Sequence, residues 1–244
     1  MTGNEVKMIH ICDRMKTING GFSKLIKNPE LQVAVDANFF IPPDRSNLNQ
    51  GSKVSFQQFC ENWLNPMFEA FGGLSIHEAV YDELQIKEVR EYVDNMISSD
   101  YHMQVLRDED LLPYELAMRN TIEKMISPNT NYDPFYNNSR DRGEVKTLSY
   151  IKTRGIFYFA SNDNAANLLI DEAAKLGTGL EDIYSVRFYE LIYYLYKKEY
   201  GNSEGLRTLY KNYYYLTKRE KERNPSWGEF IVGMNSLYGE LLKK

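Results

Sequence analysis

The 244-residue chain is poor in the residues that build several common kinds of site. Its two cysteines, Cys12 and Cys60, stand far apart and form neither a disulfide framework nor a CxxC metal motif. We expect reduced thiols in a cytoplasmic protein. The three histidines, His10, His77 and His102, form no HExxH motif or Cys/His quartet, which argues against zinc. We expect His77 and His102 to be structural.

Long apolar runs and nucleotide-binding motifs are also absent. No stretch approaches the roughly 18 apolar residues of a membrane helix, and the N-terminus is charged from its start, so we expect no membrane contact. No GxxxxGK[ST], GxGxxG or GxSxG segment occurs, which argues against a P-loop, a dinucleotide fold and a serine-hydrolase elbow. The net charge of −5 does not indicate a nucleic-acid binder, although it leaves room for a local basic patch.

What the chain does contain is an alternation of short apolar segments with helical ones. Strands are predicted at 33–40, 74–76, 155–160 and 182–186, and helices at 5–26, 56–71, 78–96, 108–126, 141–153 and 165–176. This alternation predicts an α/β fold with parallel strands joined by right-handed crossovers. From Arg187 the chain is helical and rich in tyrosine. We therefore expect an α/β domain over 1–186 and a helical extension over 187–244 packed on it.

A stripe of tyrosines runs along the first helix of this extension. The members of this tyrosine stripe are Tyr189, Tyr193, Tyr196 and Tyr200. Aromatic stripes at helical spacing are usually buried, so a core or a dimer face is the simpler interpretation. The alternative is a surface that stacks unpaired bases. A homo-oligomer or a protein partner bound through these helices also stays open.

Four acidic residues are predicted to meet at one edge of the sheet. Asp36 ends the apolar run of the first strand, Asp163 follows the strand segment GIFYFA, and Glu83 and Glu144 lie near helix starts. The carboxyl ends of parallel strands and the starts of the following helices share an edge. For Asp36 alone, capping of the next turn is the simpler interpretation.

Clustered carboxylates raise each other's pKa unless a cation is present. Oxygen ligands of this kind suit Mg²⁺ or Mn²⁺. Two such ions can activate a water and stabilise the leaving oxygen of a phosphodiester. The residues thus point to metal-dependent phosphodiester hydrolysis.

Four sequence blocks between Leu31 and Val186 carry a resemblance to a known family. They are VAVDANFFIP, IHEAVYDEL, DRGEVKTLSYIK and GIFYFASNDNAANLL. Their content and order resemble the PIN-domain nuclease family, whose members mostly cleave RNA. The resemblance implies a three-layer α/β/α sandwich with a mostly parallel sheet of about five strands. It also implies an endoribonuclease in which one or two Mg²⁺ or Mn²⁺ ions are held by Asp36, Glu83, Glu144 and Asp163.

The resemblance also suggests supporting roles. Asn38 would steady the turn after the first strand or contact a metal-bound water, and Ser161 would orient the last carboxylate. In the third block, Asp141 is an alternative to Glu144 as the residue that binds the metal. Arg140 and Arg142 would contact substrate phosphates or carry ordinary loop charge.

Two features depart from many members of the family. The chain has long helical insertions and a tyrosine-rich tail, which argue against a role as a short toxin. The alternative function is a non-catalytic PIN-like binding or scaffolding module whose helical tail binds a protein or RNA partner.

Overall fold

A computed structural model describes residues 11–48, 53–99 and 103–243. The chain forms two compact units, which we call the sheet unit and the helical unit. Among the described residues, the sheet unit comprises 31–40 and 72–186, and the helical unit comprises 11–30, 41–71 and 187–243. His10 and His102, and the start of the helix predicted at 5–26, lie outside the described residues.

The sheet unit contains five strands, which pair in parallel throughout. They are β1 (Val33–Val35), β2 (Leu74–His77), β3 (Gln104–Leu106), β4 (Tyr158–Ala160) and β5 (Tyr184–Val186). The order across the sheet is β3-β2-β1-β4-β5, and β1 is paired with β2 on one side and with β4 on the other. This sheet confirms the predicted α/β class and the predicted parallel sheet of five strands. It agrees with a three-layer α/β/α fold that has a helical C-terminal part.

The α-helices complete the described secondary structure. In chain order they are α1 (Ile11–Arg14), α2 (Gly20–Leu25), α3 (Phe56–Phe59), α4 (Asn65–Ala70), α5 (Glu78–Glu83), α6 (Lys87–Ser98), α7 (Pro113–Ile126), α8 (Arg142–Arg154), α9 (Asn164–Asp171), α10 (Ala173–Leu176), α11 (Phe188–Lys197), α12 (Ser203–Tyr214), α13 (Lys218–Arg223) and α14 (Trp227–Tyr238). A π-helical turn, Cys60–Leu64, joins α3 to α4, and 3₁₀ turns occupy Ala37–Phe39, Asp108–Asp110, Ser127–Asn129 and Glu240–Leu242.

Several predicted elements have different bounds in the structure. The helix expected over 78–96 is divided into α5 and α6, because Leu84 leaves the helical conformation with φ −74° and ψ 83°. The helix expected over 165–176 is divided at Glu172, and Gly177, with φ 66°, ends its second half. Strand β3 was not predicted. It is three residues long at the edge of the sheet, and only Leu106 is buried, so it has no distinctive apolar pattern.

The helical unit has a core of packed aromatic rings. Trp63 packs on Phe188 with ring centroids 5.0 Å apart, and Tyr210 stacks on Phe230 at 4.4 Å. In the tyrosine stripe, Tyr189 and Tyr193 are buried, so the interpretation as core is confirmed for this part of it. In the described part of the chain, no helix is both long enough and apolar enough to cross a bilayer.

The burial of β4 leads to a prediction about stability. Phe159 is fully buried, whereas Phe157, two residues earlier, is 46% exposed. Phe159→Ala should lower the free energy of unfolding by about 3–5 kcal/mol, because it leaves a cavity in the core. Phe157→Ala should change it by no more than about 0.5 kcal/mol. Urea denaturation followed by circular dichroism measures both, and equal effects would contradict the assigned packing.

Candidate metal-binding site

Asp36 lies at the centre of the sheet, immediately after β1. The strands that follow β1 first extend to one side of it, as β2 and β3, and then to the other, as β4 and β5. Ligands in open parallel sheets bind beyond the carboxyl ends of the strands, at the point where the strand order reverses. In this sheet that point lies between β1 and β4, and Asp36 and Asp163 follow these two strands.

The Asp36 carboxylate is 2% exposed and is held by three donors. Its Oδ1 accepts a hydrogen bond from the Ala37 N–H at 2.7 Å, and its Oδ2 accepts one from the Ser161 hydroxyl at 2.7 Å. The Asn38 amide also donates to Oδ2. Asp36 therefore caps the 3₁₀ turn, as its simpler interpretation predicted, and Asn38 steadies that turn.

Ser161 links the two central strand ends. While its hydroxyl donates to Asp36, the same oxygen accepts from the Asp163 N–H at 2.9 Å. Asp163 is exposed and begins α9, where its Oδ1 accepts from the Ala165 N–H at 2.5 Å. Ser161 thus fixes Asp36 directly and Asp163 through its backbone, which extends the orienting role predicted for it.

Asn167 is a supporting residue that the sequence analysis missed. It is fully buried, and its Nδ2 donates to the carbonyl oxygens of Ser161 at 3.0 Å and Asp163 at 2.7 Å. These bonds hold the turn from β4 into α9. The only sequence signal was an amide four residues after Asp163, on an otherwise apolar helix face.

Glu83 reaches the same edge from the end of α5. Its Oε1 accepts a hydrogen bond from the Gly143 N–H at 2.9 Å. A Cβ at position 143 would lie 2.8 Å from Glu83 Oε2, closer than real Cβ contacts allow. This contact explains why a glycine precedes Glu144 at the start of α8. Gly143 leaves room for the Glu83 carboxylate, and Glu144 contributes a second carboxylate.

The carboxylates interact electrostatically. Burial raises the pKa of Asp36 to about 6, with smaller contributions from the charges of Asp163 and Glu83. Burial and then the Glu144 charge raise the pKa of Glu83 to about 7, against the opposing effect of the Gly143 hydrogen bond. Burial and then the Asp36 charge raise the pKa of Glu144 to about 8, and Asp163 adds to the effect. The structure therefore brings the four predicted carboxylates within electrostatic range of each other.

A small cleft opens beside two of these carboxylates, Glu144 and Asp163. It has a volume of about 30 Å³ and is lined by Asn129, Thr130, Asp141, Glu144, Asp163, Ala165, Ala166 and Leu169. Measured as the space open to the centre of a water-sized sphere, roughly 10–15 Å³ is enough to hold one water molecule. The cleft can therefore admit an ion or a water but not a nucleotide.

Asp141 and Glu144 both line this cleft, but their surroundings differ. Asp141 Oδ2 accepts from the Asn131 backbone N–H at 2.7 Å and from its side-chain amide at 2.8 Å. Asp141 thus ties the preceding loop to the start of α8. Glu144, by contrast, faces the charges of Asp36 and Asp163.

The two arginines proposed for phosphate contact lie in different environments. Arg140 is exposed. Arg142 is half-buried, and its charge opposes the rise in the pKa of Glu83. Among the described residues, no acceptor lies within hydrogen-bond distance of the buried Arg142 Nε. The charge of Arg142 therefore favours the ionised form of Glu83, an interaction that the sequence did not suggest.

A second group of possible ligands lies after β2, and the sequence analysis missed it as a group. His77, Glu78 and Asp108 each offer one ligand atom within 4.8 Å of the others. The Ala79 N–H donates to His77 Nδ1 at 3.1 Å, which leaves Nε2 as the donor toward Asp108. Arg119 already lies 3.1 Å from Asp108 Oδ2.

In this second group, the negative charge of Asp108 is paired with the positive charge of Arg119. Burial alone would raise the pKa of Asp108, but the hydrogen bond from His77 and the charge of Arg119 outweigh it and lower the pKa. Glu78 is engaged as well, because its Oε1 accepts from the Asp108 N–H at 3.0 Å. This geometry fits the structural role expected for His77.

The first group fits a divalent cation by its donor chemistry. It offers only carboxylate oxygens, which hard cations prefer, and three of its members have raised pKa values. No three of these four described carboxylates bring one oxygen each within 4.8 Å of one another. Separate hydrogen bonds hold them apart, from Ser161 to Asp36, from Gly143 to Glu83 and from Ala165 to Asp163.

Comparisons with protein-family models, with curated proteins and with solved structures found no match to this chain.

The raised pKa values predict how stability depends on pH without metal. The pKa values of Glu83 and Glu144 are about 7 and 8 in the folded protein, and that of an unfolded Glu is about 4.3. The folded protein therefore binds more protons between about pH 4 and 8, and its stability should fall as the pH rises through that window. Glu144→Gln should raise the melting temperature by about 2–4 °C at pH 8 and hardly at all at pH 4.

Thermal melting in a chelator measures this effect, with the exposed Glu181→Gln as the matched control. The control should be neutral at both pH values. If Glu144→Gln failed to stabilise the protein at pH 8, the carboxylates would not repel each other as described.

Proposed function

We propose that this protein is a divalent-metal-dependent nuclease of the PIN-domain type that cleaves RNA internally. One observation carries the proposal: carboxylates from four separate segments act on each other at the reversal point of a parallel sheet. Like-charged groups that raise each other's pKa are typical of a site that binds a cation. RNA as substrate rests on the family resemblance of the four blocks. Free thiols at Cys12 and Cys60 support a cytoplasmic location.

In this proposal Asp36, Glu83, Glu144 and Asp163 hold Mg²⁺ or Mn²⁺. A bound ion of this kind would neutralise phosphodiester charge and make a water more acidic. Ser161 and Asn38 orient Asp36, since each donates to its Oδ2, and the Ser161 bond opposes the rise in the pKa of Asp36. Asn167 fixes the turn that carries Asp163, and Gly143 seats Glu83.

The cleft limits how a substrate can lie. With a volume of about 30 Å³ it cannot enclose a nucleotide, so RNA would lie across its mouth, where Asp163 is exposed. Arg140 is exposed at the start of α8, where it can contact a phosphate. Arg142 acts on Glu83 and would help to place that carboxylate.

The first test combines melting and cleavage in the same samples. Wild-type protein should gain melting temperature with Mn²⁺ and cleave single-stranded RNA, and Asp36→Asn should lose both. Glu83→Gln, Glu144→Gln and Asp163→Asn should each lower the cleavage rate by about 100-fold or more, since ligands matter at least as much as the groups around them. Glu181→Gln should cleave like the wild type.

Two results would count against the proposal. Metal-driven stabilisation without cleavage would leave a metal site on a non-catalytic binding module. A wild-type protein that neither responds to Mn²⁺ nor cleaves RNA would exclude the metallonuclease altogether.

The contact between Gly143 and Glu83 gives a sharper prediction. Gly143→Ala should weaken Mn²⁺ binding about 10- to 100-fold, because the new Cβ displaces Glu83 Oε2 and disturbs its hydrogen bond. Stability should change little, since the end of a flexible side chain can move. Gly228→Ala is the control, because a Cβ there meets nothing within 4 Å. Isothermal titration measures both affinities, and an unchanged Mn²⁺ affinity in Gly143→Ala would count against Glu83 as a ligand in the position it occupies here.

A further inference from the structure

Two aromatic side chains stand out on the surface of the sheet unit. Phe135 is 86% exposed and Tyr136 is 75% exposed. Their rings contact each other edge to face, with centroids 5.0 Å apart and planes at 90°. We call them the aromatic pair. Large apolar groups are rarely so exposed without a binding role when they are adjacent.

A hydrogen-bonded turn presents the aromatic pair. The Phe135 N–H donates to Asp133 Oδ1 at 2.8 Å, and the Asn137 N–H donates to the Asp133 carbonyl at 2.8 Å. Asn138 Nδ2 closes the turn by donating to the Asn131 carbonyl at 2.9 Å. These bonds fix the backbone on both sides of the pair and hold the rings away from the core.

Both ends of this loop line the small cleft. Thr130 and Asp141 both line the cleft, and the bonds from Asn131 to Asp141 join the two ends of the loop. The aromatic pair lies five residues from either end. An extended chain spans at most about 3.4 Å per residue, so the aromatic pair lies within about 17 Å of the ends of the loop that line the cleft.

Exposed side chains of opposite charge flank the aromatic pair in the chain, Asp133 before it and Arg140 after it. The cleft itself is acidic, but exposed Arg140 lies between the aromatic pair and Asp141 in the chain. Aromatic rings beside cationic side chains are the usual means of binding single-stranded nucleic acid, because every base has a face that stacks. Bases in a duplex are already stacked on each other and do not offer that face.

We propose that Phe135 and Tyr136 stack on an unpaired base of a single-stranded nucleic acid whose backbone crosses the cleft. This inference rests on the proposed function for the identity of the ligand. It assigns the enzyme a preference for single-stranded over duplex substrates. It also gives substrate affinity a source outside a cleft that is too small to hold a nucleotide.

The test is binding of fluorescein-labelled oligo(U) and oligo(A) 12-mers, and of a matched duplex, by full-length protein in EDTA. Fluorescence anisotropy gives the affinities, and melting curves check each variant. The double variant Phe135→Ala/Tyr136→Ala should bind both single strands about 10- to 100-fold more weakly, with little change for the duplex. Phe157→Ala removes an exposed ring at the opposite end of β4 and should bind like the wild type. Phe135→Trp/Tyr136→Trp should restore single-strand affinity.

Unchanged single-strand binding by the double alanine variant would overturn the proposal and would point to a protein ligand for the pair. Equal losses for single strands and duplex would also overturn it. Because binding is measured in EDTA, its result does not depend on cleavage. A wild type that cleaves no RNA, with the alanine effect present, would refute the proposed nuclease and leave the stacking site. A wild type that cleaves RNA, with no alanine effect, would do the reverse.

Discussion

The burial of carboxylates beside one another is the constraint that shapes the carboxyl edge of the sheet. Asp36 is 2% exposed, and the charges of Asp163 and Glu83 act on it. A carboxylate in such a place is unfavourable as an anion unless donors or a cation compensate it. Much of the polar structure at this edge of the sheet can be understood as that compensation.

Different local hydrogen bonds stabilise the individual carboxylates. Asp36 receives hydrogen bonds from side chains and from a 3₁₀ turn, whereas Glu83 receives one from the backbone of a helix start. Asp163 accepts from the first turn of α9, whose N–H groups have no partner within the helix. Among the three carboxylates with raised pKa values, Glu144 has the highest, about 8.

The parts of this site that the sequence predicted are those with a strong local pattern. Asp36 follows a run of β-branched and small apolar residues, and Asp163 follows another, so strand ends and helix starts could be placed without the fold. Parallel pairing then places these residues at one edge. The division of labour between Asp141 and Glu144 could not be predicted in this way, because it depends on where Asn131 lies after a loop with no periodicity.

The elements that were missed depend on tertiary contacts. Strand β3 has one buried residue and is defined by its pairing with β2. The break between α5 and α6 separates two segments that read as one amphipathic helix, and it brings Glu83 to the end of a short helix. Arg142 acts on Glu83, which is distant in sequence, whereas Asn167 bonds nearby carbonyl oxygens of a turn whose shape the sequence pattern does not specify. Local propensity contains no information about such partners.

The position of the exposed aromatic side chains follows from the same constraint. An acidic cleft of about 30 Å³ repels a polyanion and cannot enclose a base, so it cannot by itself supply affinity for nucleic acid. The tyrosine stripe that suggested stacking is largely used in the core of the helical unit, where Tyr189 and Tyr193 are buried. The two most exposed aromatic side chains among the described residues, Phe135 and Tyr136, are on the loop whose two ends line the cleft. In the proposed function, these rings would supply the contacts to a substrate that the acidic cleft does not provide.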